Sequence, residues 1–209
     1  MKAAVASIEQ ALALAIAEAN AGRAEHAIQL CEQAQAGHPP HPGVLQLLAV
    51  LCLKSGQLAR AGECIAASLS LRPDHAPSLL VAGDVARAAA DLPAAERAYA
   101  EVVALLPEHA GAWFSLGLVR QDRRDLEGAA QALRQVLRVA PPRAEVEVNL
   151  GIVLQEAGRI DEAMRAYGRA YRLHEDSFGR IAHALAAPGC GRLWLNLADL
   201  REHLRTMPA

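Results

Sequence analysis

Only seven of the 209 residues are aromatic: two Trp, three Tyr and two Phe. A sheet protein draws on aromatic and β-branched residues to fill a pleated surface, so this shortage argues against one. Lysine is almost missing, with Lys2 and Lys54 alone, and arginine supplies the other 19 of 21 basic residues. That bias reads as the mark of a GC-rich bacterial genome. Neither charge sign dominates: 21 basic residues face 23 acidic ones, for a net charge of −2. The electrostatic footprint of a nucleic-acid binder is therefore absent. The opening Met1-Lys2-Ala3-Ala4-Val5 has the charge and polarity of a signal-peptide start. Glu9 and Gln10 interrupt it, and the uncharged stretch 11–17 is far too short to span a bilayer. The cysteines Cys31, Cys52, Cys64 and Cys190 form no CxxC pair and have no metal-ligand spacing. Together these absences point to a cytoplasmic chain with no membrane insertion, no nucleic-acid partner and no cofactor.

What the chain has in excess is alanine, 46 residues of it, within a composition 53% apolar and 21% charged. That mixture predicts an all-α fold of closely packed helices. An internal repeat gives those helices a register. Pro39, Pro73, Pro107 and Pro141 are each 34 residues apart. Twelve residues before each stands an alanine, Ala27, Ala61, Ala95 and Ala129, and the next in register is Ala163. Four residues after each alanine comes a packing residue: Cys31, Ile65, Tyr99, Leu133 and Tyr167.

This pattern resembles the tetratricopeptide repeat (TPR), W-x2-L-G-x2-Y, then A-x3-F, then P. The fullest match is Trp113, Leu116-Gly117, Ala129, Leu133 and Pro141. Its successor keeps Leu150-Gly151, Ala163 and Tyr167 but has Glu147 at the Trp position and Glu175 at the Pro position. Five units follow, at 8–41, 42–75, 76–109, 110–143 and 144–177. The resemblance implies a right-handed solenoid of about five helix-turn-helix units over 1–177, with a helical C-terminal cap over 178–209.

Local chemistry supports that register independently. Gly22, Gly56 and Gly158 fall at the turn inside a unit, where a left-handed residue ends the first helix. Small residues at the eighth position (Ala15, Ala49, Gly83, Gly117, Gly151) let the paired helices approach closely. Asp91 reads as an N-cap with Pro93 in the first turn. A lone unit would leave an apolar face bare, so stacking must supply the core. Beyond the repeats, 178–187 reads as a short amphipathic helix, and Asn196 as the cap of a last helix from Leu197 to about Arg205. Trp194, Leu195 and Leu197 carry more apolar surface than a cap requires, and form a candidate self-association tail.

In TPR arrays the first helices line a groove, so the resemblance also names candidate binding residues. Carried into this register, they are Leu80, Asp84, Arg87, Phe114, Leu118, Gln121, Val148, Asn149, Ile152 and Gln155. The Lys and Asn that hold a peptide's terminal carboxylate in the chaperone-binding subgroup are missing from the corresponding positions. The implied groove is instead apolar, with Asp84 and Arg87 as a polar centre, and suits a helical or extended peptide segment. Histidines at the last position of three units (His41, His75, His109) are spaced about 10 Å apart by helix packing, too far for one ion. They read as solvent-facing helix starts. No acid, base and nucleophile stand together, so no catalytic site is expected. Three functions stay open: a non-enzymatic adaptor for another protein or peptide, a homo-oligomeric self-assembling unit that uses the groove or tail, and an accessory subunit of a neighbouring enzyme.

Overall fold

The computed structural model describes residues 7–186 and 197–207. Every regular element among them is helical. They fall into two compact units, 1–106 and 107–209. The first holds α1 (Ile8–Asn20), α2 (Ala24–Gly37), α3 (Pro42–Lys54), α4 (Leu58–Leu71), α5 (Ala76–Ala88) and α6 (Leu92–Leu105). The second holds α7 (Ala110–Asp122), α8 (Leu126–Val139), α9 (Ala144–Glu156), α10 (Ile160–Leu173), a 3-10 turn (Glu175–Ser177), α11 (Phe178–Leu185) and α12 (Leu197–Thr206).

Helices pair as hairpins: α1 with α2, α3 with α4, α5 with α6, α7 with α8 and α9 with α10. Within the first unit α2 then packs on α3 and α4 on α5, and within the second α8 packs on α9. Each hairpin turns in the same way. The amide of Arg23 donates to the Glu18 carbonyl, and Gln57, Asp91, Asp125 and Arg159 donate likewise to Cys52, Ala86, Arg120 and Leu154. These six-to-one bonds satisfy carbonyls that the helix end would otherwise leave open, and they require a left-handed residue just before the donor. Gly22, Gly56 and Gly158 supply it, with φ of 79°, 75° and 76°. In the other two hairpins Ala90 (59°) and Arg124 (65°) adopt the same conformation without a glycine.

Two of the second helices, α6 and α8, begin on an aspartate cap. Asp91 accepts from the Ala94 amide at 3.0 Å, and Asp125 from that of Gly128 at 3.0 Å. The first helices begin on histidines, whose role differs from the solvent-facing one expected. His109 Nδ1 accepts from the Ala112 amide at 3.0 Å, and His75 Nδ1 lies 2.9 Å from Ser78 Oγ. Both are only partly exposed, as is His41. Of the three, His109 satisfies an orphan donor at the start of α7 as Ser or Asp would, whereas His75 and His41 stand at the starts of α5 and α3 without a side-chain cap bond.

Packing inside each hairpin follows a size rule. A Cβ at Gly83 would lie 2.5 Å from the Tyr99 ring, and one at Gly117 would lie 3.0 Å from Leu133 Cγ. At Gly151 it would lie 2.5 Å from Tyr167 Cδ1. Where the facing residue is the smaller Cys31, or Ile65, equal in volume to Leu133 but branched at Cβ, the eighth position carries Ala15 or Ala49, both fully buried. The missing Trp of the fifth repeat is replaced by an ion pair. Arg169 donates Nε and Nη2 to the two oxygens of the buried Glu147, at 2.8 and 3.0 Å.

Candidate functional site

Each unit presents its own first-helix face. In the first unit Leu80 is half-buried on α5, and the next turn carries Asp84 and Arg87. Asp84 is already engaged: Tyr99 donates its hydroxyl to Asp84 Oδ1 at 2.6 Å. Burial first, then the Asp84 carboxylate, pushes the Tyr99 hydroxyl up to about 12, opposed by the Arg87 charge. The phenol therefore stays a donor at any ordinary pH, and Arg87 remains as the exposed charge of this face.

In the second unit Phe114, Leu118 and Ile152 are half-buried. Phe114 and Leu118 are one helical turn apart on α7. The Arg143 guanidinium lies over the Phe114 ring, 5.9 Å from its centroid. At the other end of α7, Gln121 donates to Glu156 at 3.1 Å, and Arg124 to the same carboxylate at 2.8 Å. These contacts bind α7 to α9 and use up the Gln121 amide.

Two expected groove residues belong instead to the core. Val148 is 0% exposed and lies in the cluster that includes Phe178, Ile181 and Leu185. Gln155 is 4% exposed. Its Nε2 donates to the Ala184 carbonyl at 2.7 Å, and its Oε1 accepts from the Tyr167 hydroxyl at 3.0 Å. The physical reason is α11, which packs on α9. Gln155 fixes that helix by its last turn, and burial pushes the Tyr167 hydroxyl up. Asn149 is spent as well, its Oδ1 accepting from Arg180 Nη2 at 3.3 Å. The surface left on this face is Phe114, Leu118 and Ile152, edged by Arg143 and Arg180. Sequence reasoning passed over both arginines, since each sits at a helix start outside the family's groove positions.

Of the expected tail, Trp194 and Leu195 lie outside the described residues. Leu197 opens α12 and is 55% exposed. The helix itself docks on α10, burying Leu200 and Leu204. Gly168 permits the crossing, since a Cβ there would lie 3.1 Å from the Leu204 carbonyl oxygen. Arg172 donates to the Met207 carbonyl at 2.8 Å, next to the helix end. The Arg201 guanidinium stacks over Phe178 at 4.3 Å. Thus α12 lies against a second helix.

Among the described residues no group of three or more His, Cys, Asp or Glu side chains is placed to hold a metal ion. No helix among them is long and apolar enough to cross a membrane.

Hairpins of two helices, joined by one repeated turn and stacked on one another, define a helical-repeat protein of the kind that binds other proteins. Tetratricopeptide repeat models match residues 18–83, and then 74–144, 116–178 and 148–209. The chain belongs to the tetratricopeptide repeat family. The last match takes in α11 and α12, the segment expected to be only a cap. No curated protein matches the chain. Among solved structures it is similar to MamA 41-end from Desulfovibrio magneticus RS-1, with a TM-score of 0.77 and 20% identity over 83% of this chain and 98% of that one. A MamA RS-1 double mutant gives a TM-score of 0.76 and 19% identity, over 84% and 98%. TTC0263, a thermophilic TPR protein in Thermus thermophilus, gives 0.61 and 24%, over 86% and 100%. These likenesses show the fold.

Proposed function

We propose that the chain is a non-enzymatic adaptor that holds a helical or extended segment of another protein against its first-helix faces. The observation that carries this reading is the trio Phe114, Leu118 and Ile152. Three large apolar side chains stay half-exposed there, while the polar groups beside them, Gln121 and Asn149, are satisfied within the fold. Such a patch gains by covering, and the arginines at its edge favour a segment with acidic flanks. In the first unit Leu80 and Arg87 extend the same chemistry, with Asp84 held by Tyr99. The unpaired thiols of Cys31, Cys52 and Cys64 suit the reducing cytoplasm in which we place the protein.

The test is capture of a partner from a lysate, identified by mass spectrometry and then repeated with the purified partner. Leu118→Asp and Phe114→Asp are expected to abolish capture while helix content stays unchanged. Equal capture by both variants would refute the adaptor reading. The self-assembling reading is favoured by one observation, the exposed Leu197 at the start of α12. Light scattering decides it: a concentrated monomer rules it out, and truncation after Ala187 should dissolve any oligomer.

A further inference from the structure

In the fourth repeat the Trp position of the motif is filled by Trp113, whose Nε1–H donates to the Pro107 carbonyl at 2.8 Å. In the fifth repeat that position is Glu147, and beside it lies a hollow of about 270 Å³ lined by Pro142, Glu147, Arg169, Arg172 and Leu173. Moved back by one 34-residue repeat, this lining reads Glu108, Trp113, Gln135, Arg138 and Val139. The hollow is therefore the indole's place in the repeat, with the indole missing. The ion pair of Glu147 and Arg169 lines it without filling it. Leu173 is 46% exposed at its edge, whereas Val139, in the repeat that keeps the ring, is half-buried.

We propose that this hollow receives one tryptophan side chain of another protein. Its volume falls just below the ~300–1,000 Å³ of small-molecule sites, so it suits a single ring carried by a larger partner. Pro142 and Leu173 give it apolar walls. Arg169 gives Nε and Nη2 to the buried Glu147 at 2.8 and 3.0 Å, which closes the paired donor edge that would grip a carboxylate. Arg172 turns Nη1 to the Met207 carbonyl at 2.8 Å. What an arginine engaged at its edge still offers is its flat face, and an aromatic ring takes that by stacking.

The choice of tryptophan among aromatic residues follows from the fourth repeat. A buried indole needs an acceptor for its N–H. Pro141, next to the lining, stands one repeat after Pro107 and supplies the counterpart of the carbonyl that Trp113 uses. Phenylalanine has no donor for it.

The experiment titrates N-acetyltryptophanamide into the full chain and follows the Leu173 methyl resonances by NMR. A ring seated in the hollow is expected to move them saturably upfield. The N1-methylated derivative, which has lost the donor, is expected to bind at least threefold more weakly. Leu173→Asp should weaken binding at least fivefold, followed by the Arg169 Nε–H resonance. Glu147→Trp combined with Arg169→Gln, the residues of the fourth repeat, fills the hollow from within and should abolish binding, with helix content unchanged in both variants. Leu118→Asp should change nothing, which separates this site from the first-helix face. No shift at Leu173 up to the solubility limit of the probe overturns the proposal, as does undiminished binding by either hollow variant. Equal binding of N-acetylleucinamide or N-acetylaspartate also overturns it, in favour of a merely apolar or an anion site. Tighter binding of indole itself does so in favour of a free small molecule. Binding that appears only in Trp194→Ala does so in favour of the chain's own tryptophan.

Discussion

Replacing Gly151 by alanine should change sign with the residue it faces. A Cβ at Gly151 would lie 2.5 Å from Cδ1 and 2.9 Å from Cζ of Tyr167, well inside van der Waals contact. The ring cannot retreat, because its hydroxyl is held by Gln155 and the side chain is fully buried. Overpacking of this kind costs about 1–3 kcal/mol. Against it stands the helix propensity of alanine over glycine in mid-helix, about 1 kcal/mol. Gly151→Ala should therefore destabilise the wild-type chain by up to about 2 kcal/mol. In a Tyr167→Ile background the ring is gone and the pair becomes that of Ala49 facing Ile65, which the second repeat already uses. There the same substitution should stabilise by about 1 kcal/mol, the propensity gain alone. Urea unfolding of the four chains, compared by midpoint at constant slope, gives the coupling. If Gly151→Ala destabilises both backgrounds equally, the size rule is wrong and glycine is there for another reason.

Ala90→Gly should raise stability by about 0.5 kcal/mol in thermal unfolding, since a left-handed alanine costs about 1–2 kcal/mol and glycine's extra chain entropy returns part of that. Arg124→Gly should gain less, because it also loses the bond to Glu156. Arg169→Ala leaves the carboxylate of Glu147 buried without its partner and should cost about 2–4 kcal/mol in urea unfolding. Replacing both residues by leucine should recover most of the loss, since Leu45 and Leu79 fill the same position in earlier repeats. Tyr99 gives a pH signature. Its folded value is raised from 10.0 to about 12, so its contribution is complete below pH 10 and is lost as pH rises toward 12. Tyr99→Phe should flatten that alkaline loss, read from urea midpoints between pH 9 and pH 11.

The helical pairs were legible because proline and alanine mark them in register and because their caps are local chemistry. Asp91 and the three turn glycines need no tertiary partner to act, and the structure shows them as expected. Ala90 and Arg124 were not legible as left-handed residues, since neither type prefers that conformation. There the hairpin on either side imposes a turn that the local sequence does not favour. The histidines were placed correctly at helix starts, but the capping role of His109 depends on ring orientation, which spacing does not report. The binding face was legible only in part. A positional rule for a groove assumes that each first helix stays open, yet α11 lies on α9 and draws Val148 and Gln155 into the core. Whether polar groups such as Asn149 are free depends on partners 31 residues away in sequence, here Arg180.

The crossing of α12 over Gly168 bears on how this array can grow. On α2 and α8 the corresponding surface receives the first helix of the next repeat; on α10 it receives α12. A gene duplication that added a unit after α10 would have to dislodge α12, expose Leu200 and Leu204, and strand the arginine that holds its end. Duplication inside the array, after α2 or α8, meets no such obstacle, because each new hairpin would reproduce the contact it interrupts. Lengthening of this protein over evolution is thus directed to its interior.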